Sequence, residues 1–292
     1  MPAVTVIIPT RRSPALLKRA IDSLLTQTFA DFEIVVVDHN PPEGRVAGTP
    51  AHRSWLRDRR VRLLEGTGAT NPAGLRNAGL AMATGDWVTF LDDDDEYRPT
   101  KIERQWVEAE RSRIMIGLCQ MRFHLPLRSR VRGSAAREVA GDELLLSFPG
   151  MLAVFHARAP GVRFEESLDA GEDMHYFQRL VRHFNMSRVF NVPEPLVDVH
   201  VQADAHLNLN AEGVWKAVEK TLGDFGAAYT STAQRVFRLR AQLGYCKHQR
   251  GRFGEMLVTS ARLLHERKLS EARLILNSFL FKSRRARRWL VS

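Results

Sequence analysis

Four consecutive aspartates at positions 92–95 are the feature of this sequence that most directly suggests chemistry. They follow the apolar segment 87–91, and neighbouring carboxylates repel one another and destabilise a fold unless they share a cation. Oxygen ligands suit Mg²⁺ or Mn²⁺, which in proteins commonly bind one or two carboxylates together with phosphate oxygens. This aspartate run predicts a metal site for a substrate with a diphosphate; the alternative is an acidic turn that is only solvated.

The elements that must position these aspartates are strands alternating with helices, a pattern that predicts parallel βαβ units. Strands are predicted at 4–8, 33–37, 61–64 and 87–91, and helices at 14–25, with Pro14 at the first helical position, and at 72–83. Ligands of such sheets bind outside the carboxyl ends of the strands. Thr10 with Arg11, then Asp38, then the aspartate run follow three of these strands, so we expect them to share one rim of the sheet.

The second half of the chain has weaker patterns. A helix is predicted at 100–113, a strand at 151–156, a helix after Gly171 that runs to about His183, and short strands at 189–191 and 196–200, with helices from about 211 onward. Residues 111–137 hold seven arginines and no acidic residue. They are interpreted either as a basic lip over an anionic ligand or as a solvated loop.

The positive charge of the chain is concentrated near its C-terminus. The formal net charge is +10, and residues 235–292 carry 15 Lys and Arg against three Glu. A basic amphipathic segment with aromatic side chains can lie on an anionic membrane surface; the alternative is a helical appendage with a solvated basic face. No motif that reads bases accompanies the charge, so nucleic acid is not an expected partner. The composition, 44% hydrophobic and 26% charged, excludes a disordered chain.

Four segments in order carry a resemblance to a known family. They are VTVIIPTRRSPALLKRAIDSLLTQTFADFEIVVVDHN, GLRNAGLAMATGDWVTFLDDDDEYRPTKIE, FEESLDAGEDMHYFQRL and VPEPLVDVHVQ, which together span about residues 3–202. The chain resembles the family 2 glycosyltransferases, which have the GT-A fold and use nucleotide-diphosphate sugars. The resemblance implies an α/β, Rossmann-like, mostly parallel sheet flanked by helices, to which this chain adds a helical, basic C-terminal appendage.

The resemblance also implies roles for individual residues. It places the nucleotide pocket at Pro9, Thr10, Arg11, Asp38, Arg76, Asp92 and Asp93. Asp38 would accept a hydrogen bond from the base, typically from N3 of uracil. Asp92 and Asp94 would be the acids of the DxD motif and would bind Mn²⁺ or Mg²⁺, with His200 as a further metal or phosphate contact. Asp173 would be the general base of an inverting transfer, and Glu172 would bind the acceptor or orient Asp173.

Each of these assignments has a simpler alternative. Arg76 could be a surface arginine of a helix, and Glu172 and Asp173 could only favour the positive end of the helix dipole. His200 stands where the family commonly has Arg, and Gln202 where it commonly has His, so His200 could equally be a strand-end histidine without a chemical role.

These observations predict a GT-A catalytic domain at 1–208, with a nucleotide-sugar half at 1–98 and an acceptor half at 99–208, followed by a helical basic region at 209–292. The expected activity is metal-dependent hexosyl or N-acetylhexosaminyl transfer from a UDP-sugar to a glycan or a lipid-linked acceptor, in polysaccharide biosynthesis. The alternative is a catalytically silent nucleotide-sugar-binding or adaptor protein. Two cysteines give no disulfide framework and the N-terminus does not resemble a signal peptide, so we expect the cytoplasm, with peripheral attachment to the inner face of the cell membrane.

Overall fold

The computed structural model describes residues 1–11, 14–48, 54–125, 128–201 and 211–248. Within these ranges one mixed sheet has the strand order β3-β2-β1-β4-β9-β6-β10-β5, with β7 beside β6 and β8 beside β10. The strands are β1 Val4–Thr10, β2 Phe32–Asp38, β3 Val61–Glu65, β4 Trp87–Phe90, β5 Glu96–Tyr97, β6 Ile116–Leu125, β7 Arg128–Arg132, β8 Glu138–Ala140, β9 Phe155–Ala157 and β10 Arg188–His200. The helices are α1 Pro14–Leu25, α2 Pro72–Met82, α3 Lys101–Ser112, α4 Glu143–Leu146, α5 Glu172–His183, α6 Ala211–Phe225 and α7 Ser231–His248.

The N-terminal part of the sheet confirms the predicted βαβ arrangement. Strands β3, β2, β1 and β4 are parallel, and the Val- and Ile-rich β2 is buried along its whole length. A parallel strand covered on both faces needs such a continuous apolar run. The register places Thr10 directly beside Asp38 at the carboxyl ends of β1 and β2, so the predicted rim exists.

The interpretation of residues 111–137 as a loop is wrong. After α3 the chain forms β6, an inner strand between β9 and β10, and then β7, which pairs antiparallel with β6. Apolar residues cover both faces of the first half of β6, while β7 is exposed along its whole length. Three of the seven arginines of this region lie on the exposed strand β7 and one lies on β6, and their density hid the strand pattern.

Two other predictions in the second half needed correction. Residues 151–153 form a 3₁₀ turn, so the strand predicted at 151–156 is the shorter β9, which runs antiparallel to β4 and β6. The two short strands predicted at 189–191 and 196–200 are one strand, β10, with register shifts on either side of Pro195. Proline cannot donate a backbone hydrogen bond to a neighbouring strand, so the hydrogen bonding of β10 is interrupted at Pro195 while the strand continues in the same direction.

Helices α6 and α7 pack on the catalytic part of the chain. Val218 of α6 and Ala233 of α7 lie in the same buried apolar cluster as Phe177 and Leu180 of α5. The predicted division at residue 209 therefore stays a prediction, with α6 and α7 sharing the core of the preceding part. No helix in the described ranges is long and apolar enough to cross a membrane. Residues 249–292, which hold most of the predicted basic segment, lie outside the described residues.

Candidate active site

The aspartate run alternates between half-exposed and buried side chains. Asp93 is 5% exposed; its Oδ2 accepts a hydrogen bond from Oγ1 of Thr10 at 2.7 Å and one from the backbone N–H of Arg11 at 3.2 Å. Asp93 thus ties the end of β1 to the turn after β4. Asp92 and Asp94, on either side of it, are half-exposed, and their role as the two acids of the motif stays a prediction.

Asp38 is buried at the end of β2 and organises the loop that follows. Its Oδ1 accepts hydrogen bonds from the backbone and side-chain nitrogens of Asn40, each at 2.8 Å, and its Oδ2 accepts one from the N–H of Val46 at 2.7 Å. A carboxylate has about four acceptor positions, so Asp38 keeps capacity for another donor. Its contact with a base stays a prediction.

Arg76 lies between the two acidic groups that the sequence analysis singled out. Its side chain donates to Oδ1 of Asp92 at 2.9 Å and to Oε1 of Glu172 at 3.0 Å, and its guanidinium stacks over Phe164, 5.6 Å from the ring centroid. Only 6% of Arg76 is exposed, so the alternative of a surface arginine is wrong. Burial opposes its charge, but Asp92 and Glu172 outweigh burial and raise the pKa of Arg76.

The Glu172 and Asp173 pair begins α5 at a turn that requires glycine. Gly171 has φ +74°, and a Cβ built there would lie 2.8 Å from Cβ of Ala217 on α6. A left-handed backbone is costly for residues other than glycine, and here the space is filled as well. Helix α6 therefore packs directly on the turn that presents the acidic pair.

Asp173 has the electrostatics of a base that works near neutral pH. Its Oδ1 accepts a hydrogen bond from the backbone N–H of Met174 at 2.7 Å. Burial raises the pKa of Asp173 to about 6, and the charge of Glu172 adds to the rise, while Arg76 opposes it. A carboxylate with this pKa is ionised at neutral pH and is a better proton acceptor than an ordinary aspartate.

His200 lies beside the aspartate run, and its ring lies against Glu96 and His124. Its backbone N–H donates to Oδ1 of Asp95 at 2.8 Å, and its ring stacks on His124 at 5.1 Å between centroids. Its Nε2 is 2.7 Å from Oε1 of Glu96, without hydrogen-bond geometry. The metal or phosphate role of His200 stays a prediction, and Gln202 lies outside the described residues. Burial raises the pKa of Asp95 to about 8, with the charge of Asp92 adding to the rise, so the run carries less negative charge than four aspartates suggest.

The residues at the rim fit a divalent cation that arrives with a diphosphate. In the described ranges no three His, Cys, Asp or Glu side chains are grouped closely enough to hold a metal by themselves. Such a cation needs only one or two protein carboxylates when phosphate oxygens complete its shell. The half-exposed Asp92 and Asp94 can supply them.

Several contacts of this site were not predicted from the sequence. Arg19 of α1 donates to the carbonyl oxygen of Asp94 and its Nε lies 3.3 Å from Oε1 of Glu96, so it braces the aspartate run from behind. Phe164 supports the guanidinium of Arg76. In the sequence, the signal for this role of Arg19 was its position beside the apolar stripe of the helix α1. Pro9 pairs with Val37 inside the sheet, one residue before the rim.

Comparison with known proteins identifies the family. The model of glycosyl transferase family 2 matches residues 5–156, which is more than half of the chain. The chain belongs to glycosyl transferase family 2. The family predicted from the sequence is thereby confirmed.

Curated relatives of this family 2 chain include proteins of surface-glycan synthesis. It is 36% identical over 110 residues to the succinoglycan biosynthesis protein ExoO of Rhizobium meliloti, covering 38% of this chain and 30% of that protein. It is 39% identical over 97 residues to the GalNAc(5)-diNAcBac-PP-undecaprenol beta-1,3-glucosyltransferase of Campylobacter jejuni, covering 33% and 31%. The matches thus span about a third of the length of these relatives.

Solved structures with the same fold extend over nearly the whole chain. TarS 1–349 of S. aureus in complex with UDP-GlcNAc is 15% identical, with a TM-score of 0.61, covering 94% of this chain and 91% of that one. The mannosyltransferase PcManGT of Pyrobaculum calidifontis in complex with GDP-Man and Mn²⁺ is 17% identical, with a TM-score of 0.60, covering 99% and 83%. These likenesses confirm the GT-A fold.

Proposed function

We propose that this chain transfers a hexosyl or N-acetylhexosaminyl group from a UDP-sugar to a hydroxyl of a lipid-linked or glycan acceptor, with inversion at the anomeric carbon. One observation carries the proposal: Arg76 joins Asp92, at the end of β4, to Glu172, at the start of α5. The predicted donor-side acid and the predicted acceptor-side acid are therefore parts of one site. The alternative, a catalytically silent binding protein, gives no reason for this connection.

In the proposed reaction, each residue of the site has a separate role. The acceptor oxygen forms a bond to the anomeric carbon, the bond from that carbon to the diphosphate oxygen breaks, and the nucleoside diphosphate leaves with the electron pair. Asp173 takes the proton of the attacking hydroxyl, and its raised pKa suits that role. Glu172, held by Arg76, orients the acceptor. A cation such as Mn²⁺ or Mg²⁺, held by Asp92 and Asp94, would neutralise charge on the leaving diphosphate.

The donor pocket lies at the carboxyl ends of β1, β2 and β4. Thr10, Arg11, Asp38 and Asp93 line or brace this rim, and Arg11 is exposed there. UDP is the expected nucleotide because Asp38 has acceptor capacity for N3–H of uracil, and because TarS was solved with UDP-GlcNAc. PcManGT was solved with GDP-Man, so the base is the first property to measure.

The nucleotide test is calorimetric titration of UDP, GDP and their sugars, with Mn²⁺ and with a chelator. We expect metal-dependent binding of UDP that Asp94→Ala removes. Asp22→Ala, at an exposed position of α1 where the side chain pairs with Lys18, is the control, and it should keep UDP binding. Metal-dependent binding of GDP instead would keep the enzyme and overturn the role of Asp38. Folded protein that binds no nucleotide would overturn the proposed function.

The acceptor and the location follow from the relatives and from the charge of the chain. The Campylobacter relative is named for a diphosphoundecaprenol-linked acceptor. Residues 249–292 hold 11 Lys and Arg against three Glu, a composition suited to an anionic membrane surface. We therefore propose a peripheral association with the inner face of the cytoplasmic membrane.

Membrane association is tested by removing residues 249–292. Truncation at residue 235 would cut into the core, because Val236 of α7 is buried. A chain that ends at His248 should keep UDP binding and lose sedimentation with vesicles that contain phosphatidylglycerol. Equal sedimentation of both chains would refute this association.

A further inference from the structure

The segment 164–166, which precedes α5, is bound to α2 by a buried asparagine. Asn77 is 4% exposed and adjoins Arg76 in the sequence. Its Oδ1 accepts a hydrogen bond from the backbone N–H of Phe164 at 2.7 Å, and its Nδ2 donates to the carbonyl oxygen of Phe164 at 3.1 Å and to Oε1 of Glu166 at 2.7 Å. An asparagine side chain has one acceptor oxygen and two N–H donors, so the segment engages all of them. None of the roles proposed above uses Asn77.

A second asparagine of α2 fixes the other end of the same segment. Asn71 caps α2, because its Oδ1 accepts a hydrogen bond from the backbone N–H of Gly74 at 2.9 Å, and its Nδ2 donates to the carbonyl oxygen of Glu166 at 2.8 Å. A buried backbone group without a partner is costly, so Phe164 stays where Asn77 can satisfy both of its backbone groups. The segment that leads into α5 is therefore positioned by α2.

The ring of Phe164 lies where the donor side and the acceptor side of the site meet. It stacks parallel on the ring of Tyr176 of α5, with the centroids 3.9 Å apart, and it meets the ring of Phe90 of β4 edge-on at 5.4 Å. The guanidinium of Arg76 lies over the same ring, 5.6 Å from its centroid. Phe164 is thus fixed both through its backbone and through its ring.

The stack under Arg76 matters because the guanidinium must reach two acids at once. It bonds Asp92 at 2.9 Å and Glu172 at 3.0 Å. An arginine side chain loses considerable rotamer freedom when it is held in one place, and attraction to an aromatic face helps to hold it there. Within the described part of the chain the side chain of Asn77 bonds neither acid, so its effect on them passes through Phe164 and Arg76.

We propose that Asn77 is a positioning residue of the transfer reaction: it fixes the backbone of Phe164, whose ring keeps the guanidinium of Arg76 between the donor-side and acceptor-side acids. The inference rests on the proposed function and goes beyond it, because Asn77 itself touches none of the groups that were given a role there. Removal of its side chain leaves every catalytic group in the chain. It changes only how well the charge of Arg76 is placed beside Asp173.

The test is the variant Asn77→Ala, because alanine favours the helix α2 and the substitution removes only the side-chain contacts. The assay is release of UDP from UDP-GlcNAc or UDP-glucose with Mn²⁺ from pH 5 to 9, with water as the acceptor. The water oxygen forms the bond to the anomeric carbon, the bond to the diphosphate breaks, UDP leaves with the electron pair, and Asp173 takes the proton.

In Asn77→Ala we expect kcat to fall about tenfold and the Kd for UDP to stay within about twofold. The acid limb of the pH–rate profile should move up by about half a pH unit. The reason is that a displaced Arg76 lowers the pKa of Asp173 less than a fixed one does.

Asn191→Ala is the matched control. Asn191 is also buried, at 2% exposed, and its Nδ2 donates to the carbonyl oxygens of Ser134 at 3.0 Å and Ala136 at 2.6 Å, so it ties another loop to β10. Its loss should lower the free energy of unfolding in urea about as much as the loss of Asn77 and leave the acid limb in place. If the two variants lose stability alike and share one pH–rate profile, Asn77 is only structural and the inference is overturned.

A double-mutant cycle shows whether Asn77 acts through Arg76. In an Arg76→Gln chain the positive charge is already gone. Adding Asn77→Ala to that chain should therefore lower kcat by less than about threefold and leave the acid limb where Arg76→Gln puts it. An equal, roughly tenfold loss in both backgrounds would contradict the inference, because it would show an effect independent of Arg76.

Crystal structures give a readout that needs no activity. The contact between Nη1 of Arg76 and Oε1 of Glu172, 3.0 Å in the unaltered chain, should be lost in Asn77→Ala and kept in Asn191→Ala. If Asn77→Ala does not fold, Phe164→Leu takes its place, because it keeps an apolar side chain and the backbone bonds to Asn77 and removes the ring under the guanidinium. An unchanged contact would overturn the inference. An unaltered chain that binds no UDP, or releases none, would count against the proposed function alone.

Discussion

Replacement of Arg76 by glutamine should move the acid limb of the pH–rate profile to higher pH. Arg76 is the cation between Asp92 and Glu172, and its charge also lowers the pKa of Asp173. Without it, only the hydrogen bond from the backbone N–H of Met174 opposes burial and the charge of Glu172, so the pKa of Asp173 must rise above about 6. Glutamine removes the charge and keeps an amide that donates hydrogen bonds, while its shorter side chain cannot join Asp92 to Glu172 as arginine does.

The magnitude follows from the usual effect of one charge at close range. An opposite charge within about 4–6 Å lowers a carboxyl pKa by about 1–3 units. The low end of this range applies because Arg76 forms its hydrogen bond with Glu172 and acts on Asp173 only through its electric field. A rise of about one unit halves, roughly, the ionised fraction of Asp173 at pH 7 and reduces it about tenfold at pH 5. The loss of activity must therefore grow as the pH falls.

The assay is kcat/KM for the acceptor from pH 5 to 9, at saturating donor and metal. Arg104→Gln, which removes an exposed arginine paired with Glu194, is the control and should leave the profile in place. An Arg76→Gln profile reduced by the same factor at every pH would refute the electrostatic argument. It would leave Arg76 with a role in donor binding alone.

Three further predictions concern the base, its turn and a buried histidine. Asp173→Asn should lower kcat by about 10²–10⁴-fold and keep UDP binding by calorimetry; unchanged kcat would assign the base elsewhere. Gly171→Ala should lower kcat far more than Gly161→Ala, which has the same left-handed backbone (φ +83°) and open space around it, and equal effects would refute the contact with α6. His156 is fully buried and its pKa is lowered from 6.5 to about 4. Between these pH values the unfolded chain therefore binds more protons than the folded chain, so His156 should lower the free energy of unfolding by about 2 kcal/mol from pH 7 to pH 5. In His156→Gln this decrease should be absent, as measured by urea unfolding at the two pH values.

The sequence allowed the donor rim to be predicted because its signals are local. Each strand there is a short apolar run, and Thr10 and Asp38 directly end β1 and β2. Ligand sites of parallel sheets follow from that pattern without any knowledge of contacts. The parts that failed depend on pairing between distant segments. The first half of strand β6 is buried because β9 and β10 flank the strand, and Arg122 and His124 in its second half conceal this pattern in the sequence.

The contacts that assemble the site could not be predicted. Arg76 meets Glu172 across 96 positions of the chain, and the two residues lie on separate helices. Periodicity shows that a helix is amphipathic and does not show which helix it meets. The need for glycine at 171 likewise depends on Ala217 of α6, a helix that the sequence predicted without showing that it packs on this turn.

The residues of the candidate site lie in two separate parts of the chain, so sequence similarity to the family supports the proposed roles of only some of them. The family model ends at residue 156, so it includes the donor rim and Arg76 and excludes Glu172 and Asp173. Chemistry at the donor is therefore what membership of the family supports most directly. The proposed acceptor-side residues lie beyond that match, where α6 packs on Gly171 at the turn that presents Glu172 and Asp173. Under the proposed function, a change in this packing would move the acceptor-side residues without changing the donor rim.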